Sequence, residues 1–190
     1  MTKVHAAVFA SGTGSNFEAI MDQHDSLNCE IVLLVCDKPG ATVLKKAGKL
    51  NVPTFVFDPK KYDSKAAYEQ EVVQKLQEAN VSWVFLAGYM RLVGQTLLQA
   101  FEGRTINIHP SLLPAFPGID AIGQAFEAGV KTTGVSVHYI DEGIDTGPII
   151  AQESVEVLPE DTKETLQIKI QQIEHKLYPQ VIKQLTESIS

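Results

Sequence analysis

Residues 3–16, KVHAAVFASGTGSN, join a short apolar run to a loop rich in glycine and serine. A helical pattern follows at once, with one face formed by Phe17, Ile20, Met21 and His24. A buried strand that passes through a glycine loop into a helix is the first half of a βαβ unit. The sequence therefore opens with the element that starts a parallel α/β sheet.

The same alternation of strand and helix continues through the first half of the chain. Further apolar runs of strand length occupy 30–36, 53–57 and 82–87, and helical patterns occupy 42–50 and 64–79. Uninterrupted apolar strands are typical of a sheet that is buried on both faces. We therefore expect an α/β fold with a doubly wound, Rossmann-like and mostly parallel sheet.

The second half of the chain predicts a different arrangement. Residues 104–109 form a further strand, whereas 131–140 and 148–157 alternate apolar and polar side chains and flank a long loop. This pattern indicates an antiparallel C-terminal extension of the sheet. A long C-terminal helix follows from about Thr162, and we expect Pro179 to kink it. Its apolar stripe, spaced by three or four residues, comprises Leu166, Ile170, Ile173, Leu177, Val181, Leu185 and Ile189.

Length, composition and charge restrict the class of protein. The chain has 190 residues, of which 44% are hydrophobic and 21% charged, as in an ordinary globular domain. The formal net charge is -7 and no basic run occurs, so we expect no nucleic-acid partner. No apolar stretch approaches the ~20 residues of a membrane span, and no signal peptide is evident. We therefore predict a cytoplasmic protein without a membrane partner.

The two cysteines, Cys29 and Cys36, do not form a CxxC pattern, and no Cys/His cluster has zinc spacing. We therefore predict no metal site. The sequence leaves the oligomeric state open.

The loop at residues 11–16, SGTGSN, is the first candidate site. Glycines let backbone N–H groups approach an anion, and a helix N-terminus attracts negative charge, so the loop favours a single phosphate. A second interpretation is a plain tight turn in which Ser15 or Asn16 caps the helix.

A third interpretation of the same loop is a dinucleotide site. Gly12 and Gly14 match the start of the GxGxxG fingerprint, and Asp37 ends the second predicted strand. Phe17 stands where the third glycine belongs, which counts against this interpretation.

Asn107 and His109 form the second candidate site, at the end of a predicted strand where open α/β sheets bind ligands. Side chains alternate along a strand, so both point to the same side. A carboxamide beside an imidazolium suits a developing oxyanion, and Pro110 and Pro114 restrict the loop that follows. The alternative is a histidine that only bonds a loop carbonyl.

The third candidate site is the loop DEGIDTG, in which Asp141, Glu142 and Asp145 fall within five residues. The spacing does not match an EF-hand. Either the acids are solvated, or one of them pairs with His109 and favours its charged form. Because no GxSxG, P-loop or HExxH motif occurs, we expect the nucleophile to belong to a substrate.

Together, and in this order, these motifs resemble the formyltransferases that use 10-formyltetrahydrofolate, over essentially the whole chain. The most specific element is Asn107-x-His109-Pro-Ser-Leu-Leu-Pro, followed by Asp145 in an Asp-x-Gly-Pro turn. SGTGSN and Gln171-x-x-Glu174-His175-x-x-Tyr178-Pro179 are specific to the purine-biosynthesis branch, whose amine substrate is glycinamide ribonucleotide.

The resemblance implies one formyltransferase domain over residues 1–190. Its half at about 1–100 would bind phosphate, and its half at about 101–190 would bind folate and carry catalysis. The implied catalytic residues are Asn107, His109 and Asp145. Glycinamide ribonucleotide would be held at its phosphate by Gly14, Ser15 and Asn16, and at its ribose by Gln171 and Glu174. The implied folate-binding residues are Lys65, Met90, Arg91, Leu92, Val93, Asn107, Asp141, Glu142, Gly143, Ile144 and Asp145.

Two positions depart from the family's pattern. Lys65 stands where an arginine is often seen, which puts a planar fork contact in doubt. Ile119-Asp120-Ala121 stands where some members carry a histidine. His138 either lies near the site or has a structural role, and the sequence leaves this open.

Other functions that we weighed share some of these features. Methionyl-tRNA formyltransferases add a tRNA-binding domain and positive charge, and formyltetrahydrofolate hydrolases usually add a regulatory domain, so we favour the purine branch. A nucleotide-binding module without catalysis would need the phosphate loop but would give no reason for Asn107, His109 and Asp145 together.

Overall fold

The computed structural model describes residues 3–187, in which seven strands form one mixed sheet and six α-helices pack against it. The predicted stripe residue Ile189 lies outside the described residues. The strands are β1 (Val4–Ala10), β2 (Cys29–Cys36), β3 (Thr54–Val56), β4 (Trp83–Leu86), β5 (Thr105–His109), β6 (Thr132–Tyr139) and β7 (Ile149–Glu156). The helices are α1 (Ser15–Asp22), α2 (Thr42–Lys49), α3 (Lys65–Glu78), α4 (Gln95–Ala100), α5 (Ala121–Ala128) and α6 (Lys163–Glu187).

The strand order is β3-β2-β1-β4-β5-β6-β7. Strands β1 to β5 are parallel, whereas β6 pairs antiparallel with both β5 and β7, which confirms the predicted fold class. The chain moves outward from β1 to β3 and then returns to β4 on the other side of β1. This reversal opens a crevice at the carboxyl ends of β1 and β4, where doubly wound sheets bind ligands.

Both faces of the sheet are covered, as the apolar strands predict. In β1, Ala6, Val8 and Ala10 pack into the core beneath α1, α2 and α6. Ala7 and Phe9, which alternate with them, pack into the second core beneath α3 and α4. Because β1 contributes to both cores, its position between β2 and β4 is fixed from both sides.

Helix α6 confirms the predicted C-terminal helix, and its buried face is wider than the predicted stripe. It continues as one helix through Pro179, which is buried. Tyr178 is fully buried in α6, and its hydroxyl donates to the Leu86 carbonyl at 2.7 Å and lies 3.3 Å from the Ile106 carbonyl. Since these carbonyls belong to β4 and β5, the hydroxyl fixes α6 against these two central strands.

Two helices that the sequence analysis did not predict connect these elements. Helix α4 is only six residues long, and the buried Glu69 of α3 accepts its first N–H groups. Helix α5 follows its N-cap residue Asp120, whose side chain accepts from the Gly123 N–H. The α4 cap is supplied by a distant segment, so local periodicity could not reveal it. Within residues 3–187, no helix combines the length and apolarity needed to cross a membrane.

Replacing Tyr178 with phenylalanine tests the contact between α6 and the sheet. We expect the free energy of unfolding to fall by about 1–3 kcal/mol, because a buried carbonyl loses its donor. Chemical denaturation measures the change. Tyr62→Phe is the control, since its half-buried hydroxyl contacts Glu71 where water can replace it. Equal losses in the two variants would contradict a specific role for the buried hydroxyl.

Candidate active site

The candidate site lies at the carboxyl ends of β1, β4 and β5. Asn107 and His109, the alternate residues predicted to share a side, occur at the end of β5. Strand β6 pairs with β5 so that Asn107 is opposite His138 and His109 is opposite Ser136. The antiparallel extension therefore places a second histidine, His138, beside Asn107 and His109.

Asp145 lies against His109, with 3.5 Å between the carboxylate Oδ2 and the ring Nδ1. Its Oδ1 is 3.6 Å from Nε2 of His138. The Gly118 N–H donates to Oδ2 at 2.8 Å. Of the two interpretations that the sequence left open for the acidic loop, the structure favours an acid paired with His109, and Asp145 is that acid.

Several contacts keep the Asp145 carboxylate ionised. Burial on its own raises the pKa of this carboxyl. The interaction with His138, the Gly118 amide and the charge of His109 together outweigh burial and lower the pKa below its ordinary value. A carboxylate that is ionised at neutral pH stabilises an imidazolium beside it.

His109 is buried, and both of its ring nitrogens face oxygen atoms. Nε2 lies 2.9 Å from the Phe116 carbonyl, while Nδ1 faces Asp145. The loop carbonyl that the sequence analysis raised as an alternative is thus present together with the acid. A doubly protonated ring can donate to both oxygens.

The segment that supplies the Phe116 carbonyl and the Gly118 amide has an unusual backbone. Phe116, Gly118 and Asp120 all have positive φ angles, of 51°, 82° and 53°. For non-glycine residues this conformation persists only where surrounding contacts enforce it. Here the Ser111 hydroxyl donates to the Ala115 carbonyl at 2.6 Å, which holds the segment against the end of β5.

His138 belongs to the site, which the sequence left open. It is fully buried, and its Nδ1 lies 2.9 Å from the Tyr139 carbonyl. Its Nε2 lies 3.4 Å from the side-chain nitrogen of Asn107. The ring therefore contacts two of the three predicted catalytic residues. The sequence feature that could have placed His138 at the site was its position on a strand predicted to extend the sheet.

Asp141 organises the loop that precedes Asp145. Its Oδ1 accepts from the Gly143 N–H at 2.9 Å and from the Thr146 hydroxyl at 2.6 Å. The Thr146 and Gly143 contacts lower the pKa of Asp141. A Cβ at Gly143 would lie 2.1 Å from the Thr146 hydroxyl oxygen, so a larger residue there would displace the Thr146 side chain. The loop is thus shaped before any ligand arrives.

Beside this loop lies a cavity of about 230 Å³ with mainly apolar walls. Ile144, which is half exposed, lines the cavity from the acidic loop at residues 141–147. Pro114 and Pro117 line it from the loop that follows β5. Glu142 and Gly143 are exposed at the tip of the acidic loop. Their roles toward folate stay predictions.

The loop between β1 and α1 packs closely against α2 at Gly14. Gly14 has a φ of 75°, and a Cβ there would lie 2.4 Å from a methyl carbon of Val43. Helix α1 begins at Ser15 without any side-chain cap, which is contrary to the capping interpretation. Its first N–H groups are therefore available to an anion.

Asn16 and Glu174 connect this loop to α6. The Asn16 side-chain nitrogen donates to Glu174 at 3.1 Å, and the Asn16 side-chain oxygen is buried without a partner. Burial raises the pKa of the Glu174 carboxyl, and the Asn16 hydrogen bond offsets only part of that rise. Gln171 lies one turn earlier on α6 and is half-buried. Asn16 and Glu174 thus connect the polar face of α6 to the loop at residues 11–16.

The structure argues against the dinucleotide interpretation. Asp37, the acid expected to hold a ribose, instead accepts from the Ser11 hydroxyl and pairs with Arg91 at 3.2 Å. Phe17 is fully buried in the core where a third glycine would be needed.

The predicted folate-lining residues Met90, Arg91, Leu92 and Val93 follow β4. Met90 and Leu92 are exposed apolar side chains, at 76% and 55%, beside the crevice. Lys65 donates from its ammonium to the Leu92 carbonyl at 2.8 Å. Lys65 thus supports this loop, and its contact with folate stays a prediction. Across the described part of the chain, His, Cys, Asp and Glu side chains form no group of three or more that could hold a metal ion.

Comparison with known proteins places this geometry in context. Residues 4–182 match the family described as formyl transferase. Phosphoribosylglycinamide formyltransferase of Bacillus subtilis (strain 168) is 58% identical over 181 residues, which cover 94% of this chain and 93% of that protein. The trifunctional purine biosynthetic protein adenosine-3 of Gallus gallus is 42% identical, over 93% of this chain and 18% of that protein.

Solved structures agree with these sequence matches. The crystal structure of glycinamide ribonucleotide transformylase 1 from Geobacillus kaustophilus has a TM-score of 0.95 and 56% sequence identity. The match covers 97% of this chain and all (100%) of that one. The sequence matches and the solved structure point to the same family as the seven-stranded sheet and the Asn-x-His pair with its aspartate. The chain belongs to the formyl transferase family.

Proposed function

We propose that this chain transfers the formyl group of 10-formyltetrahydrofolate to the amine of glycinamide ribonucleotide. The products are formylglycinamide ribonucleotide and tetrahydrofolate, in the de novo synthesis of purines. The observation that carries the proposal is the 3.5 Å approach of Asp145 to His109, on the strand that also carries Asn107. The names of the similar proteins supply the substrates.

The sheet explains why a transferase fits better than a hydrolase of the same formyl donor. A hydrolase needs no site for a phosphorylated acceptor. Here the glycine loop and the uncapped start of α1 lie at the sheet edge that also carries Asn107 and His109. Gly14, Ser15 and Asn16 would bind the phosphate, and Gln171 and Glu174 the ribose, which would direct the amine toward the cluster.

The chemistry follows from where charge develops. The uncharged amine attacks the formyl carbon, and negative charge builds on the formyl oxygen. Holding two substrates together can contribute ~7–11 kcal/mol to lowering the barrier. Each hydrogen-bond donor that is aimed at the oxyanion can add ~2.7–4 kcal/mol. Asn107 and the protonated ring of His109 are the donors in our proposal.

The unliganded contacts indicate what has to change when substrates bind. The Nε2 atom of His109 is engaged with the Phe116 carbonyl and Nδ1 faces Asp145. We propose that the formyl oxygen replaces the Phe116 carbonyl as the partner of Nε2, while Asp145 keeps the ring charged. The bond from carbon to the folate nitrogen then breaks, and one proton passes from the attacking amine to that nitrogen.

The folate site is proposed to lie between the loop after β4 and the acidic loop. Met90, Leu92 and Ile144 would contact the flat apolar rings of the cosubstrate, since all three are exposed apolar side chains. Exposed apolar side chains gathered at a crevice are typical of a ligand site. The proposed cosubstrate is 10-formyltetrahydrofolate, and no metal takes part in the proposed reaction.

We further propose that residues 1–190 act as one formyltransferase domain, with the phosphate-binding part at about 1–100 and the folate-binding and catalytic part at about 101–190. The single sheet supports this proposal. A cytoplasmic location is proposed from the similarity to enzymes of purine biosynthesis.

Replacing His109 with alanine should lower kcat by roughly 100- to 1000-fold, because a donor to the oxyanion is lost. The dissociation constant for glycinamide ribonucleotide should change less than about threefold, because the ribose and phosphate contacts remain. Single-turnover formyl transfer and equilibrium binding give the two values, and a reaction without the amine substrate measures hydrolysis. His24→Ala, at an exposed ring after α1, is the control. An unchanged kcat in His109→Ala would contradict the proposed role of His109 as a donor to the oxyanion.

Replacing Glu174 with alanine should raise the KM for glycinamide ribonucleotide roughly tenfold or more, since a buried hydrogen-bonding group facing the ligand is lost. The kcat and the KM for the folate should change little, because the ribose does not react. Initial-rate kinetics measure all three. Glu164→Ala, at an exposed position of the same helix, is the matched control. An unchanged KM for the nucleotide would place the ribose elsewhere.

A further inference from the structure

Asp37 is a buried carboxylate, only 7% exposed, and directly follows the last residue of β2. Its Oδ1 accepts from the Ser11 hydroxyl at 2.5 Å, and its Oδ2 lies 3.2 Å from Nε of Arg91. Both oxygens are therefore engaged by other segments of the protein. No step of the proposed reaction uses this residue.

Ser11 extends the contact to a second segment. Its hydroxyl oxygen accepts from the Met90 N–H at 2.9 Å, and its backbone N–H donates to the Gly88 carbonyl at 3.1 Å. Ser11, Asp37, Met90 and Arg91 thus form a closed set of polar contacts, which we call the switch-point network. It lies where the strand order reverses, because these residues follow β1, β2 and β4.

The switch-point network joins the two proposed substrate sites. Ser11 begins the loop that leads to Gly14 and the start of α1, whereas Met90 and Arg91 begin the loop proposed to line the folate pocket. The far side of each loop is held separately. The Gly12 carbonyl accepts from Val43 of α2, and the Leu92 carbonyl accepts from Lys65 of α3.

Charge makes Asp37 the critical member of the network. A buried carboxylate is costly unless it is paired and hydrogen-bonded, and Arg91 and Ser11 provide both forms of compensation. Moving either loop would break a contact to this buried charge. The two loops are therefore held to one relative position by an interaction that neither could replace with water at low cost.

We propose that Asp37 is a positioning residue that couples the two loops, so that each substrate binds more tightly when the other is present. The proposal rests on the proposed function. Because Ser11 and Asp37 link the two loops, a substrate that shifts one loop must shift the other with it, and the second substrate then meets a loop already adjusted. Coupling of this kind is reciprocal, and each substrate must strengthen the binding of the other by the same factor.

The test uses an unreactive pair of ligands, glycinamide ribonucleotide with tetrahydrofolate, which has no formyl group to transfer. The dissociation constant of tetrahydrofolate is measured by calorimetry under anaerobic conditions, with and without saturating nucleotide. We expect the nucleotide to tighten folate binding on the order of tenfold in the unaltered protein. In Asp37→Asn, which keeps an acceptor for Ser11 but loses the charge that faces Arg91, the factor should fall below about twofold.

Two further variants separate coupling from stability. Asp161→Asn is the matched control, because its largely buried carboxylate contacts Lys169 beside the start of α6. It should lower the melting temperature without changing the coupling factor. Ser11→Ala keeps the pair of Asp37 with Arg91 but removes the hydroxyl between the loops, so its coupling factor should also fall. Ser11→Ala alone decides the result if Asp37→Asn does not fold.

The outcomes separate this inference from the proposed function. If the unaltered protein binds either ligand no better than a non-folate, non-nucleotide control, the proposed function fails and the inference fails with it. If both ligands bind but neither tightens the binding of the other in the unaltered protein, only the coupling role of Asp37 is overturned. The same holds if Asp37→Asn and Ser11→Ala keep the coupling factor of the unaltered protein. A lower melting temperature with an unchanged factor would show that Asp37 is merely structural.

Discussion

The Asp145 carboxylate joins the parts of the candidate active site, because it contacts groups from three different segments. His109 comes from β5, His138 from β6, and the Gly118 amide from the loop between β5 and α5. A half-buried charge needs such partners, since its desolvation is otherwise uncompensated. The carboxylate, in turn, fixes where the two imidazoles can lie. The site therefore exists only after the antiparallel strand β6 has paired with β5.

Helix α6 holds the remaining segments of the crevice together. Its Tyr178 hydroxyl reaches carbonyls of β4 and β5, and its Glu174 reaches Asn16 in the loop proposed to bind phosphate. One helix thus fixes the distance between the proposed nucleotide site and the strands that carry Asn107. Positioning of the two substrates accounts for much of the proposed rate enhancement, so we expect the packing of this helix to affect catalysis.

The sequence predicted the sheet and most helices because apolar runs and helical stripes are local signals. It also predicted that Asn107 and His109 share a side, which follows from strand alternation. It could not decide which acid meets His109 or whether His138 lies at the site, since both depend on pairing between β5 and β6. Helix α4 and the network around Asp37 were not predicted, because their partners are distant in sequence. The capping interpretation of Ser15 and Asn16 failed because both residues lie inside α1, whose N-cap position is Gly14.

The central claim is that the cluster around Asp145 directs a formyl group from a folate to an amine. The most direct measurement follows a ¹³C label in the formyl group of 10-formyltetrahydrofolate, mixed with the protein and glycinamide ribonucleotide. We expect one labelled formamide on the nucleotide for every tetrahydrofolate released. Labelled formate in place of the formamide, with the nucleotide unchanged, would contradict it.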